Sequence, residues 1–167
     1  MSIRIGIITV SDRSSSGDRP DESGPALVSA VTVQGWHITR TTVLPDELEQ
    51  LSATLADWAD SGEMDVILTT GGTGFSSRDV TPEATLAIIH RPTPGIAEAM
   101  RSASLRITSH AMLSRAMAGI RSRTLIVNLP GNPKGAVENF TVIIPVLSHA
   151  VQLLREDPSA ESGHQII

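Results

Sequence analysis

The chain of 167 residues contains no cysteine and no tyrosine, and its aromatics number four: Trp36, Trp58, Phe75 and Phe140. Without thiols there is no disulfide framework, no thiolate metal site and no cysteine nucleophile, a pattern that fits a cytoplasmic protein. A net charge of −5 and a pI near 5.5, combined with so few stacking rings, argue against a basic nucleic-acid face. No apolar run approaches a membrane-spanning length, and Met1-Ser-Ile-Arg-Ile5 enters a strand pattern directly rather than a signal peptide, so no membrane partner is expected. Paired histidines at metal spacing are missing as well. The five histidines, at 37, 90, 110, 149 and 164, are scattered outside the candidate loops and read as surface or packing residues. Hydrophobic residues make up 40% of the chain and charged residues 19%, as in an ordinary globular domain able to bury a sizeable core.

Strand and helix patterns alternate along that domain. Strands are expected at 3–10, 36–44, 65–69 and 123–129, and helices at 25–34, 47–59 and 82–90. In the 47–59 helix, Leu48, Leu51, Leu55 and Trp58 recur on one face. Residues 11–24 read as a long loop, and 91–122 as two shorter helices entered through Pro92-Thr-Pro-Gly95 and broken near Gly119. A last helix runs from about Ala136 to Arg155, with a kink or break expected at Pro145. No repeat and no interdomain linker appears, so residues 1–156 read as one domain and 157–167 as a polar, mobile tail. The alternation predicts a three-layer α/β/α sandwich with a mostly parallel central sheet. Right-handed crossovers would then bring loops 11–24, 45–47, 70–81 and 129–135 to one crevice.

The most informative of these loops is Thr69-Thr-Gly-Gly-Thr-Gly-Phe-Ser-Ser-Arg-Asp-Val-Thr-Pro-Glu83. Thr81 suits the N-cap of the following helix, Pro82 its first position, and Glu83 its positive end. Across Thr70, Gly71, Gly72, Thr73 and Gly74, peptide N–H groups can cradle phosphate oxygens, because no Cβ keeps a ligand away from the glycines. Asp79 would repel phosphate unless a cation lay between them, which suggests a magnesium-dependent site. The loop is neither a P-loop nor G-x-G-x-x-G. Its plainer alternative is a glycine-rich turn serving strand–helix geometry alone. A second loop of similar build, Asn128-Leu-Pro-Gly-Asn-Pro-Lys134, opens from the 123–129 strand.

Taken together, residues 69–85, Ser114-Arg-Ala-Met-Ala-Gly119, Asn128-Leu-Pro-Gly-Asn-Pro133, Thr9-Val-Ser-Asp-Arg13 and Pro45-Asp-Glu47 resemble the molybdopterin-binding proteins of molybdenum-cofactor biosynthesis. The motifs fall in order and span residues 3 to about 154. The resemblance implies an ATP- and Mg²⁺-dependent adenylylation of molybdopterin that releases pyrophosphate, with a non-catalytic molybdopterin carrier as the alternative. It places Asp46 and Asp79 at catalytic, magnesium–ATP positions. It also gives ligand roles to Ser11 and Asp12, has Ser114 and Arg115 hold the pterin-side phosphate, and lets Pro130, Gly131, Asn132 and Lys134 shape a second ligand loop. A homo-oligomer, trimer or hexamer, and transient contact with other proteins of the same pathway are implied too.

Each assignment has a plainer counterpart in the local sequence. Asp46-Glu-Leu-Glu49 resembles a capping box, so Asp46 would serve as a cap. Ser11 and Asp12 suit ordinary turn chemistry. Arg78 would either meet a phosphate bidentately or remain a solvated surface charge. Ser114 and Arg115 alone look like a helix start, and Phe75 would line the pocket or cover its rim.

Overall fold

The computed structural model describes residues 1–160. Six strands, β1 (Arg4–Val10), β2 (His37–Leu44), β3 (Val66–Thr70), β4 (Arg91–Pro92), β5 (Ala118–Arg121) and β6 (Thr124–Leu129), form one sheet in the order β2-β1-β3-β6-β5-β4. The first four neighbours, β2, β1, β3 and β6, are parallel; β5 runs antiparallel to β6, and β4 antiparallel to β5. Among the described residues there are also six helices, α1 (Asp12–Ser15), α2 (Ser23–Val33), α3 (Leu48–Asp60), α4 (Thr81–Ile88), α5 (Pro94–Leu105) and α6 (Pro133–Leu154), with a 3-10 turn at Ser109–Leu113.

Period-two alternation divides the core between the two sheet faces. Ile5 and Ile7, Val66 and Leu68, and Leu125, Val127 and Leu129 pack under α2, α5 and α6. Ile8 and Val10, Ile67 and Ile126 pack under α3 and α4. The α/β sandwich read from the sequence is therefore the fold. The direction of β-strand addition reverses at β1, which has β2 on one side and β3 on the other. A crevice outside the carboxyl ends of β1 and β3 is where such sheets bind ligands.

Residues 91–122 depart from expectation. The short edge strand β4 precedes a single helix, α5, which is followed by a 3-10 turn and the short strand β5, and Gly119 lies in β5 rather than at a helix break. The β5–β6 hairpin turns through Ser122 with φ of +53°. That left-handed position usually falls to Gly, Asn or Asp, so the turn carried no sequence signal. Helix α6 runs from Pro133 to Leu154 without a break, with Pro145 on its exposed side, where the carbonyl that loses its backbone partner stays open to solvent. By length and composition α6 would reach across a membrane, contrary to the expectation that no run does. In this fold its Ala136, Phe140, Ile143, Leu147 and Val151 form a buried stripe against the sheet, and Phe140 meets Trp36 edge to face at 6.2 Å. Beyond α6, residues 157–160 form a turn in which Ala160 is buried. Residues 161–167, the rest of the tail read as mobile, lie outside the described residues.

At the amino end of the sheet, Asp65 joins three segments. It is 2% exposed, and its carboxylate accepts bonds from Arg4 (Nη2 at 3.0 Å) and Arg155 (Nε at 2.9 Å), tying β1 to the end of α6. Burial works to raise its pKa, but the bonds from the two arginines outweigh burial and hold it below the ordinary value. A carboxylate with a depressed folded pKa contributes stability that is present above its unfolded pKa, about 3.9, and is lost as pH falls through the folded value. Asp65→Asn should therefore cost on the order of 2–3 kcal/mol at pH 7, leaving two cations without their acceptor. Urea unfolding should show that difference shrinking below about pH 4; a variant as stable as the parent at pH 7 contradicts this.

Candidate active site

The carboxyl ends of β1, β3 and β6 meet backbone to backbone. Thr70 at the end of β3 donates its hydroxyl to the Pro130 carbonyl at 2.7 Å, and the Gly71 amide donates to Leu129 at 3.1 Å. Gly71 has φ of +100°, and a Cβ there would collide with the Val10 carbonyl; a Cβ on Gly131 would lie 3.1 Å from the Gly71 Cα. Only glycines allow this crossing.

From that crossing the 71–80 loop folds so that its carbonyls face the protein. Thr81 donates its hydroxyl to Gly71 at 2.9 Å and its amide to Gly72 at 3.0 Å. Thr81 is thus the first residue of α4 and a latch on the loop, not the cap expected from sequence. Arg115 donates its amide to Thr73 at 2.9 Å, Nε to Gly74 at 2.7 Å and Nη2 to the Asp79 carbonyl at 2.8 Å, while Nη1 pairs with Glu83. With the carbonyls taken, the N–H groups of Gly72, Thr73 and Gly74 donate to no group among the described residues. Successive unpaired amides of this kind are an anion-binding concavity.

Two cavities flank the loop. One, of about 480 Å³, is lined by Ser11, Thr70, Gly71, Gly72, Asp46, Asp79, Gly131 and Asn132, together with Arg19, Asp21 and Glu22 from the α1–α2 segment. The other, of about 450 Å³, has Thr73, Gly74, Ser114, Pro130, Asn132 and Lys134 on its wall, with Ala97, Met100, Ala111 and Leu113 supplying apolar surface. Asn132 borders both. Its Oδ1 caps α6 through the Gly135 amide at 3.2 Å.

Asp46 is 9% exposed, with Oδ2 accepting the Asp12 amide at 2.9 Å, while Asp12 Oδ1 accepts the Asp46 amide at the same distance. It does not cap α3, whose N-cap, Glu47, makes no side-chain capping bond. Burial first, then the charges of Asp12 and Asp79, raise the Asp46 pKa above its ordinary value. Asp79 Oδ2 accepts the Ser76 amide at 3.0 Å. No group of three or more metal-ligating side chains exists among the described residues. Two carboxylates at a phosphate cradle nevertheless fit magnesium, which keeps several waters and completes its shell with substrate phosphates.

Three residues proposed from sequence line neither cavity. Arg78 takes the Asp12 carboxylate in a fork, Nε at 3.0 Å and Nη2 at 3.1 Å, and reaches Glu47 at 2.7 Å. It is neither free for phosphate nor merely solvated. Asp12 is correspondingly held below the usual carboxylate range, first by Arg78 and then by the Asp46 amide. Arg115 is committed to the loop carbonyls. Lys134 remains 81% exposed, 3.8 Å from Glu138. Phe75 is exposed at the outer rim beside Arg115.

Several lining residues were not singled out in the sequence. Arg101 donates to the Ala116 and Ser114 carbonyls at 2.7 and 3.3 Å from the wall of the second cavity. His110, exposed as its sequence reading expected, lines the same wall. Asn128 is fully buried; its amide donates to Thr69 and Thr85 at 3.1 and 2.9 Å, and its Oδ1 accepts from Met117 at 3.2 Å. Only its place in the Asn-Leu-Pro-Gly run hinted at this hub.

A loop of unpaired amides between two cavities, one of them holding Asp46 and Asp79, lies at the switch point of a parallel sheet, where α/β proteins bind their ligands. Residues 6–149 match the family model described as "Probable molybdopterin binding domain", and the chain belongs to that family. It is 40% identical, over 99% of its length and 91% of the relative's, to the molybdopterin adenylyltransferase of Escherichia coli. Gephyrin of Dictyostelium discoideum is 43% identical over 93% of the chain, which spans 23% of that longer protein. The structure of the molybdopterin biosynthesis enzyme MoaB from Thermus thermophilus superimposes with a TM-score of 0.87 at 45% identity, covering 93% of this chain and 98% of that one. The resemblance carried by the sequence motifs is borne out.

A buried carboxylate whose pKa stays raised despite the nearby charge of Arg78 destabilises the ligand-free fold when ionised. Its favourable contribution is complete below the unfolded pKa and is lost as pH rises through the folded value. Asp46→Asn keeps an acceptor for the Asp12 amide without the charge. Its melting midpoint at pH 7 should exceed the parent's by about 2 °C, the shift that roughly 1 kcal/mol gives a domain of this size. The gain should vanish below about pH 4; scanning calorimetry that finds the variant less stable at pH 7 contradicts it.

Proposed function

We propose that the chain is a molybdopterin adenylyltransferase of molybdenum cofactor biosynthesis, using ATP with Mg²⁺ in the cytoplasm. The observation that carries this reading is the loop of unpaired amides between two cavities that meet at Asn132, Gly72 lining the polar one with Asp46 and Asp79, and Thr73 and Gly74 lining the more apolar one. In this reading the polar cavity receives the nucleotide, and the second cavity receives the pterin. Ser114, Lys134 and Asn132 face the molybdopterin end, Ser11 and Gly131 the nucleotide end. The similarity to proteins named molybdopterin adenylyltransferase supports the same assignment.

The reaction follows from what these residues offer. A phosphate monoester has a second pKa of about 6, so the molybdopterin phosphate is already an anionic nucleophile at pH 7 and requires no general base. Its oxygen forms a bond to the α-phosphorus of ATP. The bond from that phosphorus to the β-bridging oxygen breaks, and pyrophosphate leaves with the electron pair. Asp46 and Asp79 would hold the magnesium, whose charge offsets repulsion between the two anionic partners. The loop amides orient phosphate oxygens, and the shared wall at Asn132 brings nucleophile and target together.

Self-association belongs to the proposal as well. Val146 and Leu153 leave apolar surface exposed on α6, and a groove lined by Ala103, Ile107, Val137 and Val142 runs between α5 and α6. Such surface suits a homo-oligomer, trimer or hexamer.

Incubation with molybdopterin, ATP and Mg²⁺ should release pyrophosphate, and chelation of the metal should stop the release. Asp79→Ala should unfold close to the parent's midpoint yet turn over on the order of 10²-fold more slowly. Tight molybdopterin binding without pyrophosphate release would make the protein a carrier.

A further inference from the structure

We infer that Arg115 is a positioning residue that holds the Thr73, Gly74 and Asp79 carbonyls, and so sets the outer half of the loop whose amides face phosphate, rather than a phosphate ligand itself. The inference rests on the functional reading above. Arg115 lies in the extended segment between the 3-10 turn and β5, on the far side of the loop from the Asp46 cavity, and lines neither of the two large cavities. Each of its donors is directed to the loop or its helix: the main-chain amide to Thr73, Nε to Gly74, Nη2 to the Asp79 carbonyl and Nη1 to Glu83 on α4. Those carbonyls must point somewhere. A peptide plane fixes its N–H opposite its C=O, so the Arg115 main-chain amide, through the Thr73 carbonyl, fixes the Gly74 amide, and the guanidinium, through the Gly74 and Asp79 carbonyls, fixes the Phe75 and Val80 amides. Thr81 does the same for Gly71 and Gly72, and so for the Gly72 and Thr73 amides. The loop is thus held from two sides, by Thr81 under it and by Arg115 beside it.

A planar guanidinium can reach two carbonyls and a carboxylate at once, which an ammonium on a lysine stem cannot do. Both are cations. A phosphate ligand acting by charge would survive replacement by lysine better than replacement by alanine, whereas a three-point clamp would not.

Inorganic pyrophosphate with Mg²⁺ serves as the probe, read by calorimetry and by the ¹⁵N–¹H resonances of Gly72, Thr73 and Gly74. In the parent protein these three resonances should move on titration. Arg115→Lys and Arg115→Ala should both bind pyrophosphate about tenfold or more weakly, with melting midpoints a few degrees below the parent's. In both ligand-free variants the Gly74, Phe75 and Val80 resonances should already be displaced while those of Gly72, β1 and β3 stay in place. Lysine restoring what alanine loses overturns the inference, because Arg115 would then act by its charge. Parent-like binding by both variants overturns it too, leaving the functional reading intact. Loop resonances that do not respond to pyrophosphate in the parent overturn the reading of the loop and this inference with it.

Discussion

Where the ends of β1, β3 and β6 converge, three backbones pass closer than side chains permit. Gly71 lies against the Val10 carbonyl, and Gly131 against Gly71 itself. That contact decides where the loop after β3 can go, and the rest of the site is arranged around it. Because the crossing leaves no room on the sheet side, the loop turns outward and divides the crevice into two cavities that meet at Asn132. Moving either glycine to a residue with a Cβ would separate the strands' ends and merge or close the cavities.

Charge is distributed to match. Of the basic residues that the motifs offered to phosphate, Arg78 ties the loop to Asp12 and Glu47, and Arg115 ties it to its own carbonyls. The polar cavity is left with Asp46, Asp79, Asp21 and Glu22 against Arg19, and Asp21 is engaged by the Thr9 hydroxyl and the Gly24 amide. In the function proposed above, such an acidic cavity would admit a polyphosphate together with a divalent cation rather than bare. The strain of holding Asp46 buried and close to Asp79 is the structural counterpart of that requirement.

The parallel part of the sheet was legible in the sequence because buried strands ending in Gly/Pro loops leave a strong local pattern. Residues 66–70 and 124–129 are buried throughout, as those patterns require. The antiparallel strands β4 and β5 were not legible: they are two and four residues long, and the β5–β6 turn uses Ser122 where glycine would have announced it. At the site, the motifs located the loops correctly, but residue type could not say which way a side chain faces. An arginine in a glycine loop looks like a phosphate ligand whether it points at the cavity or at a carboxylate across the loop. Arg101 and His110 were missed because their segment's place beside the second cavity depends on tertiary packing alone.

The account's central claim is that nucleotide and pterin occupy adjoining cavities at the same time. Titration of molybdopterin into protein saturated with Mg²⁺ and α,β-methylene-ATP, which cannot be cleaved at the reacting bond, tests it by calorimetry. A ternary complex, with molybdopterin bound about as tightly as to the nucleotide-free protein, is the predicted result. Mutual exclusion, with apparent molybdopterin affinity falling in proportion to analogue concentration, would contradict it.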